Sequence, residues 1–204
     1  ATLAVSRSAA ELLNDDAILQ VDRHVISDEL RALKRSFEQI PTVELGEIAE
    51  IIPAIPNAER SRTTDPSSAA ENDALQVHEV VAGDLPPAGY IGSASGQLHV
   101  RLKKRAGRGQ FDAFLRPNDV VLLVKGSVGK VGIVPSSVPP PGEGGWIAGQ
   151  SAVVLRSPTP NSDLRPVGLW LRSAQGRQML DAITSGATIP MISLKALREL
   201  QIPL

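Results

Sequence analysis

The sequence predicts an α+β fold: a central curved sheet, antiparallel or mixed, with short helices flanking it. Two observations point there. Strand-like, β-branched runs cluster in the middle of the 204-residue chain, and helical spacing is confined to its two ends. Grouping of this kind favours an α+β arrangement over an alternating parallel one. Aromatic residues make up only 3%, so the core must rest on Leu, Ile, Val and Ala. There is no internal repeat.

Near the N-terminus, residues 27–40 carry Leu30, Leu33, Phe37 and Ile40 on one helical face. Ser27 is placed to cap that helix and Pro41 to end it. Residues 45–51 predict a second short helix, stopped before Pro53. Residues 57–72 are rich in Ser, Thr, Ala, Asp and Arg without periodicity, and predict a mobile loop.

The middle turns strand-like. Residues 97–102 alternate weakly. Residues 119–124 and 130–134 are β-branched runs joined by Gly126-Ser127-Val128-Gly129, which predicts a hairpin. Residues 136–145, with three prolines in a row and three glycines, predict a loop. Residues 146–156 predict one strand and residues 167–183 one helix, broken after Ser185-Gly186-Ala187. Ser193 is placed to cap a last helix with Leu194, Leu197 and Leu200 on one face, and residues 201–204 begin a strand.

Composition narrows the function classes. No apolar stretch is long enough to span a bilayer, and the first ten residues lack the basic-then-apolar pattern of a secretory signal. There is no cysteine, which rules out disulfides and thiolate metal sites and fits the reducing cytoplasm. Net charge is -1, but it is unevenly spread. Residues 41–97 hold nine acidic against two basic groups, whereas residues 98–130 hold eight basic against two acidic. One segment therefore carries a positive field that the sum conceals.

No catalytic constellation emerges. The histidines His24, His78 and His99 show no metal-binding spacing, and no GxSxG elbow supports a hydrolytic triad. Gly126-Ser127-Val128-Gly129-Lys130 lacks the spacing of a phosphate loop, and Val131 stands where Ser or Thr is needed. Glu44, Glu47 and Glu50 predict a solvated helix face. Trp146 and Trp170 are expected in the core.

Four stretches, in shared order over about 160 residues, resemble the target-recognition domains of type I restriction-modification specificity subunits. The first is Leu45-Gly46-Glu47-Ile48-Ala49-Glu50-Ile51. The second is Leu115-Arg116-Pro117-Asn118-Asp119-Val120-Val121-Leu122, followed by Lys125-Gly126-Ser127-Val128-Gly129-Lys130-Val131-Gly132-Ile133-Val134. The third is Trp146-Ile147-Ala148-Gly149-Gln150-Ser151. The fourth runs from Leu169-Trp170-Leu171-Arg172-Ser173 through Gly186-Ala187-Thr188-Ile189-Pro190 to Leu200-Gln201-Ile202-Pro203-Leu204. Residues 14–25 are similar to the linker that follows the catalytic domain in N6-adenine methyltransferases.

The resemblance implies a helical linker over residues 1–41 and a recognition domain over residues 42–204. It implies sequence-specific binding of double-stranded DNA that directs an adenine methyltransferase to its site. The partners would be a methyltransferase catalytic domain or subunit and a restriction subunit, with no membrane. Neither the Asn/Asp-Pro-Pro-aromatic tetrapeptide nor a glycine-rich S-adenosylmethionine motif is present, and Asp65-Pro66-Ser67-Ser68 is no substitute. That cofactor and base flipping are expected in a catalytic domain outside this chain.

The expected DNA contacts are Arg101, Lys103, Lys104, Arg105, Arg108, Gln110, Lys125, Ser127, Lys130 and Gln150. Lys and Arg neutralise phosphate, while Arg105, Arg108 and Gln110 suit base edges in the major groove. Each has a plainer reading: a basic run is commonly a solvated face, a glycine-bearing turn merely joins strands, and Gln150 and Ser151 are strand-end polar groups. A different class of function, a non-catalytic module that docks a methyltransferase or restriction subunit through the acidic segment, fits the same composition.

Overall fold

The computed structural model describes residues 40–61, 74–102, 109, 111–159 and 162–203. The helix expected at 27–40 and the linker expected at 14–25 lie outside them, apart from Ile40. The fold is α+β, with antiparallel and mixed sheets and a few short helices among the described residues. No described helix is long and apolar enough to cross a membrane.

Two sheets have four strands each; the larger sheet, so called for its more extensive apolar core, is formed by β2 (Glu50–Pro53), β9 (Ala152–Arg156), β6 (Val120–Leu123) and β7 (Val131–Ile133), in that order and antiparallel throughout. Its strands read as continuous apolar runs because both faces are covered. Val120, Leu122, Val153, Leu155 and Ile51 point into one core, and Val121, Leu123, Ala152, Val154 and Ile52 into another. This period of two explains why residues 45–51 do not form one helix. Only Leu45–Ile48 makes a helical turn, α1, and Ile51 and Ile52 must then face opposite sides of a strand. Glu44, Glu47 and Glu50 consequently lie on three different elements rather than one helix face.

The smaller sheet has the order β3 (Arg60–Ser61), β5 (Gly96–Val100), β4 (Leu75–Val80) and β8 (Trp146–Ala148), with β8 parallel to β4. Its core is Ile55, Val77, Leu98, Val100, Phe114 and Ile147. Residues 146–156 are thus two strands in two sheets, not one. The turn at Gly149 makes the crossing: its amide donates to the Val80 carbonyl (3.0 Å), and Ala152 donates back to Gly149 (3.0 Å). The loop expected from residue 57 also fails at its start. Arg60 lies in an edge strand, and its guanidinium bonds the Ile55 carbonyl (2.9 Å), the Glu79 carboxylate (2.5 Å) and the Ala148 carbonyl (2.7 Å).

Helices α2 (Arg165–Arg172) and α3 (Ala174–Ala182) cover one face of the larger sheet through Val167, Leu171, Met179 and Leu180. The single helix expected there is broken at Ser173, whose backbone is extended and whose Oγ accepts from the Gly176 amide (3.1 Å). Gly176 is required because a Cβ there would collide with the Trp170 carbonyl. Helix α4 (Leu194–Arg198) is capped as expected, Ser193 Oγ accepting from Ala196 (3.1 Å). Finally β10 (Gln201–Pro203) pairs with β1 (Thr42–Glu44), bringing both ends of the described fold together.

Arg156, buried at the end of β9, locks the two sheets. Its Nε and Nη2 reach both carboxylate oxygens of Asp119 (3.0 and 2.7 Å), and it also donates to the carbonyls of Asp112 (2.7 Å) and Phe114 (2.6 Å). Burial pushes the Asp119 carboxyl up, against the hydrogen bonds and charge of Arg156 that pull it down. Replacing Arg156 with Ala strands a buried carboxylate and two carbonyls, so we expect a loss of about 3–5 kcal/mol, read as a lowered urea midpoint. Gly132→Ala should cost about 1–3 kcal/mol by the same measurement, because its Cβ would sit 2.5 Å from Leu85 and 2.7 Å from Ile91.

Candidate nucleic-acid interface

At one end of the larger sheet three loops are stitched into a single surface. The β6–β7 turn, residues 124–130, closes with Leu123 donating to Lys130 (2.9 Å) and Gly129 donating to Leu123 (3.0 Å). Gly126 and Gly129 hold φ of 74° and 83°, values that glycine adopts without strain. The 149–151 turn lies beside it, the Ser151 carbonyl accepting from Val124 (2.8 Å) and Lys125 (3.2 Å). The 185–191 loop joins from the other side: Gly126 donates to Pro190 (2.9 Å), Ile192 donates to Val124 (2.8 Å), and Ser185 and Met191 exchange two backbone bonds.

This framework brings Lys125, Ser127, Lys130 and Gln150 together, and all four are exposed. The Gln150 amide nitrogen donates to the Ile55 carbonyl, so this side chain is tied to the frame. Between these polar groups the 185–191 loop exposes Ile189 and Met191, two apolar side chains that sequence reasoning did not single out.

Arg101 lies elsewhere. Val100 pairs with Leu75 at one end of the smaller sheet, whereas Ala148, which leads into the Gln150 turn, pairs with Val80 at the other. Arg101 is exposed, and its amide donates to Glu59 (2.8 Å). Lys103, Lys104, Arg105, Arg108 and Gln110 lie outside the described residues. Both roots of that basic segment are well held. On its far side Gly109 donates to the Asp112 carboxylate (2.5 Å), Arg116 pairs with the same side chain (2.8 Å), and Arg156 grips the Asp112 carbonyl. Phe114 then bridges to Ile147, adding to the edge of the smaller sheet.

A second cationic feature escaped the sequence. Arg172 and Arg177 face one cleft together with Lys130. Five residues apart on a continuous helix, they would point about 140° away from each other. Only the break at Ser173 turns them toward one cleft. Ser173 carried the signal, as a capping residue inside an otherwise helical stretch. Among the described residues no group of His, Cys, Asp and Glu is arranged to hold a metal ion.

No protein-family model and no curated protein matches the sequence. Among solved structures, the chain is similar to the type IIG restriction endonuclease BpuSI, with a TM-score of 0.52 at 10% identity over 89% of this chain and 26% of that one. It also matches a type I restriction-modification S subunit from M. genitalium (TM-score 0.42, 19% identity, 82% of this chain and 35% of that one). The HsdS subunit from Thermoanaerobacter tengcongensis gives a TM-score of 0.47 at 16% identity over 89% of this chain and 41% of that one. The chain thus spans less than half the length of each of these proteins. The likeness to BpuSI is a likeness of fold.

Gly186 is the hinge of the stitched surface, with φ of 97° and a carbonyl, that of Ile189, where a Cβ would stand. Gly186→Ala should destabilise the protein by about 1–3 kcal/mol. A thermal melt should show this as a Tm lowered by roughly 2–10 °C.

Proposed function

We propose that this chain is a target-recognition domain that binds double-stranded DNA sequence-specifically and directs an adenine methyltransferase of a restriction-modification system to its site. The observation that carries the proposal is the stitched surface, which combines exposed Lys125, Ser127, Lys130 and Gln150 on one rigid frame. Cations and hydroxyls held on rigid backbone suit phosphate oxygens, and an amide side chain suits a base edge. The shared fold with a type IIG restriction endonuclease and the four ordered sequence stretches support the same reading.

In this proposal residues 42–204 form the reader and residues 1–41 link it to a catalytic domain. The basic segment Arg101, Lys103, Lys104, Arg105 and Arg108, with Gln110, adds phosphate and base contacts. S-adenosylmethionine and the flipped adenine belong to the methyltransferase domain or subunit, which works with this chain in the cytoplasm, alongside a restriction subunit. This chain supplies address and orientation, and the alkylation happens elsewhere.

Binding of the full chain to a random-sequence duplex library, followed by fluorescence anisotropy, tests the proposal. Four phosphate contacts would weaken affinity by about a hundredfold between about 50 and 200 mM salt. Joint charge reversal by Lys103→Glu, Lys104→Glu and Arg105→Glu should weaken binding to every duplex alike, whereas Gln150→Ala should relax selection at a single base position. A flat salt response, or full affinity in the charge-reversed variant, would count against DNA reading by these residues.

A further inference from the structure

We infer that the cleft between the β6–β7 turn and helices α2 and α3 is an oxyanion site that takes a phosphodiester group of bound DNA. The cleft encloses about 430 Å3, within the range of small-ligand sites. Three cationic side chains line it, Lys130, Arg172 and Arg177, against one carboxylate, Asp181. None of the three makes an ion pair, with Asp181 or with any other carboxylate, among the described residues. A protein surface ordinarily mixes its charges. Three unpaired cations around one concavity leave an electrostatic demand that an anion would meet.

Arg172 is fixed in the wall of the cleft. Its Nε and Nη2 donate to the Val131 carbonyl (3.1 and 2.7 Å), and Nη2 also donates to Gly89 (2.9 Å). Its Nη1 is shielded from solvent and has no hydrogen-bond partner among the described residues. A donor that solvent cannot reach does not itself touch a ligand in the open cleft, but the guanidinium charge, held at the wall without a carboxylate partner among the described residues, adds to the positive field there. Desolvation lowers the Arg172 pKa, but a guanidinium remains charged at any physiological pH. Lys130 and Arg177 are exposed and free to close over an oxyanion drawn in by the charge of Arg172. Leu85 and Val131 supply apolar wall on the same cleft, suited to the sugar beside a phosphate.

The assignment of the oxyanion to DNA rests on the proposed function, because the cleft shares Lys130 with the stitched surface. The test therefore uses Arg177, which that surface does not include. In the full chain, Arg177→Ala should lower affinity for an arbitrary labelled duplex several-fold, and the slope of log affinity against log salt should shrink by about one. Arg177→Lys should restore most of the slope, and Lys195→Ala, on α4, should leave it unchanged. Among the described residues Arg177 has no side-chain partner to lose, so the thermal melt should barely move.

If the wild type binds duplex and Arg177→Ala keeps both affinity and slope, the cleft assignment is overturned and the proposed function stands. If the wild type does not bind duplex, titration with inorganic phosphate, read from the Gly129 amide by NMR, decides the rest. A saturable shift that disappears in Arg177→Ala would keep the oxyanion site and overturn its assignment to DNA. No shift would overturn both.

Discussion

Arg156 is the group on which the arrangement of this protein turns. It stands at the end of β9, in the larger sheet, yet three of its four hydrogen bonds go to Asp119 and Phe114, and the fourth to Asp112. Those partners fix the path of residues 111–119. Because that path is fixed, Phe114 bridges to Ile147 and seals the core of the smaller sheet. The buried ion pair need not add net stability, since an apolar replacement of equal shape would avoid the cost of desolvation. Its contribution is geometric: it sets where the smaller sheet and the root of the basic segment sit relative to β6 and β9. Arg60 does the same on the opposite flank by tying Ile55, Glu79 and Ala148 together.

The overall charge of -1 conceals how the ionic groups are used. Many of the carboxylates are consumed as structural acceptors. Asp84 receives the amides of Val81 (2.8 Å) and Ser95 (3.1 Å), Glu143 receives that of Gln76 (3.0 Å), and Asp119 is enclosed by Arg156 and the Arg116 amide. Even exposed Asp163 is engaged, its carboxyl held below the ordinary range by hydrogen bonds from Arg165. Lys125, Lys130 and Arg177 have no such obligations among the described residues. Acidic groups are thus spent on holding loops, while several basic ones remain available, and a sum over the chain cannot register that division.

How much of this was legible depends on how local the cause is. The hairpin at 119–134, the Ser193 cap and the terminal strand were readable because each is written in adjacent residues: β-branched runs around glycines, a hydroxyl before an apolar face. Sequence pattern and structure diverge where distant pairing decides. Residues 146–156 look like one strand, and only the competition of two sheets for them forces the turn at Gly149. Leu75–Val80 has no strand reading in the sequence; besides nearby β5 it pairs with β8, far along the chain in parallel register. Arg60 sits in a stretch whose composition suggests a loop, and its role rests on partners up to 88 positions away. In the same way Lys125, Ser127 and Lys130 were visible as a motif, whereas the convergence of Arg172 and Arg177 needed the kink at Ser173.

The pairing of β1 with β10 has a mechanical consequence. Polypeptide attached before Thr42 and after Pro203 would leave the fold side by side, with Leu45 also bonded to Leu200 (2.8 Å). A module with neighbouring exits can be grafted into or removed from a larger assembly without disturbing the host's own path. Joined to a host through those two strands alone, such a module would have a single pivot, about which the whole body would turn as one piece.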